Sequence, residues 1–212
     1  LLLGNKKVSL NHKPYFIADI AANHDGDITR AKDLVWIAKE AGADCAKFQH
    51  FLADKIVNDV EFKKIEDVKT HQSEWKKSVS QIYDQYHFRR EWTEEIYNEC
   101  IKADIEFSTS PYDYDAVNEV NQYVNFFKIG SGDISWIEFL EFPKSQNKPL
   151  ILATGASSLS DVERAVDVLD SSKLILMQCN TNYTVDSDKH GYVNLNVLKL
   201  YRKKFPSLIL GL

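Results

Sequence analysis

Two lysines stand where a lysine is costly. Lys47 lies in Cys45-Ala-Lys-Phe-Gln49 and Lys128 in Phe126-Phe-Lys-Ile-Gly130, both runs composed like buried strands. An ammonium taken out of water without a partner is strongly disfavoured. At a sheet edge it could reach solvent, but a closed sheet has no edge, and there the cation needs an anion. Two chemistries use such a lysine: binding of an anionic ligand, or Schiff-base formation as in a class I aldolase. The run Lys128-Ile-Gly-Ser-Gly-Asp133 adds the Ser131 hydroxyl and successive backbone N–H groups, which together can hold an oxyanion. Ser110, in Ser108-Thr-Ser-Pro111, contributes another hydroxyl. Neither the P-loop spacing nor a dinucleotide-binding GxGxxG turn occurs. Asp19, inside Phe16-Ile-Ala-Asp-Ile20, and Asp133 supply carboxylates for pairing with Lys47 or for acid–base work. Asn23 and His24 can hydrogen-bond a polyol, and Gln49 and Asn180-Thr-Asn-Tyr183 extend the polar set. No histidine has a His, Asp or Glu partner at diagnostic ligand spacing, so no metal ligand is assigned.

All these residues follow strand-like segments. Strands are expected at about 15–20, 44–49, 105–109, 124–129, 149–154, 173–179 and 207–212. Helical patterns fall between them, at 28–41, 72–86, 90–103, 113–122, 134–142, 159–169 and about 195–205, with 51–69 irregular. Asp27 and Ser158 read as helix caps and Gly42 as a helix stop. Seven βα-type units with no antiparallel hairpin between them predict a parallel sheet buried on both faces. An open doubly wound sheet concentrates ligand residues at one switch point, whereas a barrel gathers them from every strand. The spread of polar strand ends favours a (β/α)8 TIM barrel. Such barrels need roughly 250 residues. At 212 residues, ending on the seventh strand, the barrel is expected to be truncated. The organisation read from the chain is a lead-in over 1–14 and an incomplete barrel over 15–212.

Composition removes other classes. With 44% hydrophobic and 27% charged residues, the chain is not of the disordered type. Its formal charge of −5 offers nucleic acid and acidic membranes no basic surface, and no apolar run is long enough to span a bilayer. Cys45, Cys100 and Cys179 lack disulfide or zinc spacing, which suggests reduced thiols and a cytoplasmic protein.

Five segments, Phe16-Ile-Ala-Asp-Ile-Ala-Ala-Asn-His-Asp-Gly26, Ala41-Gly-Ala-Asp-Cys-Ala-Lys-Phe-Gln49, Phe107-Ser-Thr-Ser-Pro-Tyr-Asp113, Phe127-Lys-Ile-Gly-Ser-Gly-Asp133 and Leu152-Ala-Thr-Gly155, resemble successive motifs of the sialic acid synthase family. That family includes N-acetylneuraminate, legionaminate and pseudaminate synthases. The resemblance implies a (β/α)8 catalytic barrel. It further implies condensation of phosphoenolpyruvate with an open-chain N-acylated amino-hexose. The products are a nine-carbon 2-keto-3-deoxy acid and phosphate, formed by C–O cleavage with a divalent manganese or magnesium ion. By the same resemblance Lys47, Ser110, Lys128 and Ser131 hold phosphoenolpyruvate, Asn180 and Thr181 lie in a loop serving both substrates, and Tyr183 lies on the sugar side.

Departures from the pattern are local. Asp19 and Asp133 stand where the family commonly has glutamate, Ala153 replaces a frequent serine, and Thr181 falls near a usual asparagine. Losing one methylene moves a carboxylate by about 1.5 Å, a scale on which positioning affects rate. The family's metal-binding histidines and its C-terminal antifreeze-like domain, which reaches the partner subunit in a homodimer, are expected beyond Leu212. Residues 1–212 alone are therefore expected to bind no metal and to be inactive. Two other readings remain: a Schiff-base aldolase using Lys47 or Lys128, and a barrel that binds an anionic sugar without turnover.

Overall fold

The computed structural model describes residues 1–64, 75–181 and 193–212. Its α/β chain divides into two compact units, residues 16–116 and residues 1–15 with 117–212. The lead-in forms a two-stranded antiparallel hairpin, β1 (Leu2–Leu3) and β2 (Lys6–Lys7). Gly4 turns it at a φ of 58°, and Leu3 is its buried anchor. This hairpin corrects the expectation of a chain without antiparallel pairing. Two-residue strands are too short to leave a period-2 signal.

In the unit of residues 16–116, β3 (Ile17–Ala21), α1 (Ile28–Glu40) and β4 (Cys45–His50) make the first βαβ step. The Asp27 side chain accepts from the N–H groups of Thr29 and Arg30, and Gly42 leaves α1 at a φ of 86°. The irregular stretch after β4 contains two single-turn helices, α2 (Ala53–Ile56) and α3 (Asp59–Phe62). Then come α4 (Val79–Tyr86), capped by a Ser78–Gln81 box, α5 (Thr93–Lys102) and β5 (Glu106–Pro111). The three strands pair in parallel in the order β3-β4-β5.

Chain order continues with α6 (Tyr114–Val120), β6 (Phe127–Ile129), α7 (Ile137–Ser145), β7 (Leu150–Ala153) and α8 (Leu159–Val168). After them come β8 (Leu174–Met177), α9 (Val197–Lys204) and β9 (Ile209–Gly211). Strands β6-β7-β8-β9 form a second parallel sheet. α7 continues through buried Pro143 to Ser145, past the stop expected before the proline. Leu150–Ala153 is buried at every position, the pattern of a strand covered on both faces. No helix among the described residues is long and apolar enough to cross a membrane.

Alternation divides β4 and β5 chemically. Phe48 and Phe107 face an apolar layer with Phe88, while Lys47 and Gln49 align with Ser108 and Ser110 on the other face. His50 belongs to the apolar layer. Its ring bonds the hydroxyls of Thr109 and Thr93, both at 2.8 Å, and lies beside Phe88. Burial first, and the Arg90 charge second, push its pKa down to about 3. An unfolded chain protonates this imidazole below about 6.5, whereas the fold resists until about 3, so stability is complete above 6.5 and declines as pH falls through that window. We expect a loss of about 2 kcal/mol from this residue by pH 5. Urea midpoints at pH 8 and pH 5 should therefore converge in His50→Gln, and an unchanged difference between them would refute the assignment.

Candidate active site

In the unit of residues 16–116 the polar groups stand on adjacent strands. Asp19, Lys47 and Ser108 share one register level, and Gln49 and Ser110 the next but one. Lys47 Nζ lies 2.7 Å from Asp19 Oδ1; the lysine side chain is 5% exposed and the carboxylate 62%. A buried cation is thus neutralised by an acid that itself faces solvent. Immediately after Asp19 the register slips, so that Ala21 aligns with Phe48, and Ala21 takes a left-handed φ of 50°. Such a bulge bends the strand end and re-aims its side chains, at a cost that a non-glycine residue bears only where the surrounding structure enforces it. Gln49 Nε2 donates to the Tyr112 hydroxyl at 3.0 Å. The turn after β5 is fixed by Asp113, whose carboxylate accepts from the Ala116 N–H at 2.8 Å and pairs with Arg90.

Asn23 is exposed, and its side chain donates to the Ile20 carbonyl at 2.8 Å. His24 is not brought to this set. It is fully buried against Phe48, Phe88 and Trp92, and its Nδ1 accepts from the Gly26 N–H at 3.1 Å. Burial lowers its pKa. The polyol role read from its loop position fails because the turn sends the side chain toward the aromatic layer.

In the other unit, Lys128 is half-buried in β6, and Gly130 leads into a single 3₁₀ turn, Ser131–Asp133. Asp133 Oδ2 is buried and has no hydrogen-bond partner among the described residues. Desolvation raises the pKa of this carboxyl to about 6, against an opposing pull from the Lys128 charge. Beyond β7 and β8, Asn180 and Thr181 begin the loop after Cys179. Tyr183 lies outside the described residues, as do His71 and His190. No set of three or more His, Cys, Asp or Glu side chains that could hold a metal occurs among the described residues.

Sequence reasoning passes over Tyr112, Thr154 and Tyr201. Tyr112 follows a proline inside a turn, and Tyr201 reads as one more apolar position in Leu198-Lys-Leu-Tyr-Arg-Lys-Lys204, so neither hydroxyl announces itself.

Residues 34–212 match the family model of the NeuB family. The chain belongs to the NeuB family. N-acetylneuraminate-9-phosphate synthase of Homo sapiens is 30% identical to it over 207 residues, covering 94% of this chain and 55% of the human protein. N,N'-diacetyllegionaminic acid synthase of Campylobacter jejuni is 30% identical over 199 residues, covering 91% of this chain and 58% of that enzyme. The NeuB-family chain therefore spans about half the length of the curated relatives it matches. The solved N-acetylneuraminic acid (sialic acid) synthetase of Leptospira borgpetersenii, in complex with citrate, superposes at a TM-score of 0.82 and 24% identity. That superposition covers all of this chain and 68% of the other, and at this identity it shows the shared fold.

The orphaned oxygen of Asp133 has a measurable consequence. The unfolded chain ionises this group near 3.8 and the fold near 6, so it subtracts stability as pH rises through that interval. Asp133→Asn should be more stable than the parent by about 1–3 kcal/mol at pH 7.5, with the advantage gone at pH 4. Denaturant melts at the two pH values decide this, and equal or lower stability of the variant at pH 7.5 would count against a desolvated carboxyl.

Proposed function

We propose that the intact protein condenses phosphoenolpyruvate with an N-acylated amino-hexose, giving a nine-carbon 2-keto-3-deoxy acid and phosphate on a (β/α)8 barrel. The observation that carries this reading is the Lys47–Asp19 pair at the strand ends of a NeuB-family chain, a buried cation whose counter-charge remains open to solvent. Phosphoenolpyruvate brings about three negative charges, and cations and hydroxyls at strand ends match it. Lys47 and Ser110 in one unit, and Lys128 with the Ser131 turn in the other, are the groups assigned to it.

In the proposed reaction C3 of phosphoenolpyruvate attacks the sugar aldehyde, whose oxygen takes up a proton. Water adds at C2, and phosphate leaves by C–O cleavage. Asp133, with a pKa near 6, can hold or release a proton at neutral pH, and Asp19 is the exposed carboxylate beside the other lysine. Asn180, Thr181 and Tyr183 are assigned to the loop that orients both substrates, and Asn23 and Gln49 to the sugar. Family resemblance implies a divalent metal. The described residues do not make a set that fits one, and each step is assigned to the chain's own side chains alone. Three free thiols suit a cytoplasmic enzyme.

A Schiff base needs a free amine, and the ion pair engages Lys47 otherwise. Borohydride reduction of the intact protein with pyruvate should leave no lysine adduct by mass spectrometry, and a trapped adduct would reject the proposed mechanism. Phosphate release with N-acetylmannosamine or 2,4-diamino sugars should require both substrates. Lys128→Met should weaken phosphoenolpyruvate binding about tenfold or more with little effect on the amino-sugar. Equal weakening of both, by calorimetry, would make Lys128 a structural residue.

A further inference from the structure

The ends of β7 and β8 are tied together by groups outside the assigned ligand set. The Thr154 N–H donates to the Met177 carbonyl at 3.0 Å, and the Thr154 hydroxyl donates to the same oxygen at 2.9 Å. Because that hydroxyl has spent its only proton on a carbonyl, the Tyr201 hydroxyl 2.9 Å away must be the donor between the two. Tyr201 and Thr154 are each 5% exposed, and Tyr201 is the one residue of α9 that is fully inside. The next residue continues the tie. The Gly155 N–H donates to Cys179 Sγ at 3.2 Å, and Ala156 follows at a left-handed φ of 56°. A Cβ at Gly155 would lie 2.6 Å from Thr181 Cγ2, 2.9 Å from Cys179 Sγ and 3.0 Å from the Cys179 carbonyl. The loop that begins with Asn180 and Thr181 therefore rests directly on the backbone that Thr154 anchors.

We propose that Tyr201 is a positioning residue: through Thr154 it fixes the strand-end backbone on which Asn180 and Thr181 are seated, and so sets how tightly that loop holds substrate. The inference rests on the proposed synthase reading for its substrate, though the ordering of the loop does not. A hydroxyl relay suits this task because it is directional. Tyr201 to Thr154 to Met177 leaves no proton unassigned, so the β7 end has one stable arrangement, whereas removing the phenol leaves a buried acceptor without its donor.

The test compares Tyr201→Phe, Thr154→Val and Thr154→Ser in the intact protein. Two readouts are taken: steady-state KM and kcat for both substrates, and hydrogen–deuterium exchange at the Gly155 and Cys179–Thr181 amides. Tyr201→Phe and Thr154→Val should raise KM about tenfold, with kcat changed much less, and should speed exchange at those amides. Thr154→Ser keeps the relay and should match the parent in both. Unchanged KM and exchange in Tyr201→Phe would overturn the proposal, as would a lower melting temperature with KM unaltered, since that is what a purely structural tyrosine gives. If Tyr201→Phe fails to fold, Thr154→Val carries the same comparison. If the parent protein turns over no substrate pair, the synthase reading fails, while exchange at the loop amides still decides whether Tyr201 orders it.

Discussion

A cation in the middle of three parallel strands must be neutralised, and the unit of residues 16–116 is organised around that requirement. Lys47 is flanked by β3 and β5, with its side chain almost wholly inside, and Asp19 on β3 supplies the opposing charge at 2.7 Å. The pairing depends on register: a slip of one residue would turn Asp19 to the opposite face and leave the ammonium alone. The bulge between Asp19 and Ala21 lets β3 hold that register and still turn outward, and the strained Ala21 is a local cost of this placement. Behind the pair, the layer of Phe48, Phe88 and Phe107 supplies the burial that makes a polar opposite face tolerable.

The second unit solves a similar problem differently. Lys128 emerges at the end of a three-residue strand, and the carboxyl of Asp133 five positions later is desolvated rather than ion-paired. One unit therefore offers a carboxylate fixed against a buried lysine, and the other a carboxyl that exchanges its proton near neutrality. Chemistry that needs both a fixed charge and a mobile proton is well served by that contrast, because pKa values pushed apart by environment separate acid from base roles.

The sequence is most readable where one physical demand dominates. Buried parallel strands show as continuous apolar runs, so Leu150–Ala153 and Leu174–Met177 are evident, and a lysine or aspartate inside such a run stands out for the same reason. Cap residues such as Asp27 and Ser158 are legible because their signal is local. His24 misleads for the complementary reason: composition puts it at a strand end, but only the path of the turn decides which layer receives the ring. Tyr201 and Thr154 are invisible because their importance lies in a contact between residues 47 positions apart. The hairpin of β1 and β2 likewise escapes, being too short for any periodicity to register.

The most direct test of the charge arrangement is a crystal structure of the intact protein with phosphoenolpyruvate bound, read at Lys47. A ligand oxygen is expected at about 2.7–3.2 Å from Lys47 Nζ, within hydrogen-bond distance, beside the retained Asp19 contact. Phosphoenolpyruvate bound with Lys47 Nζ contacting protein groups alone would contradict it.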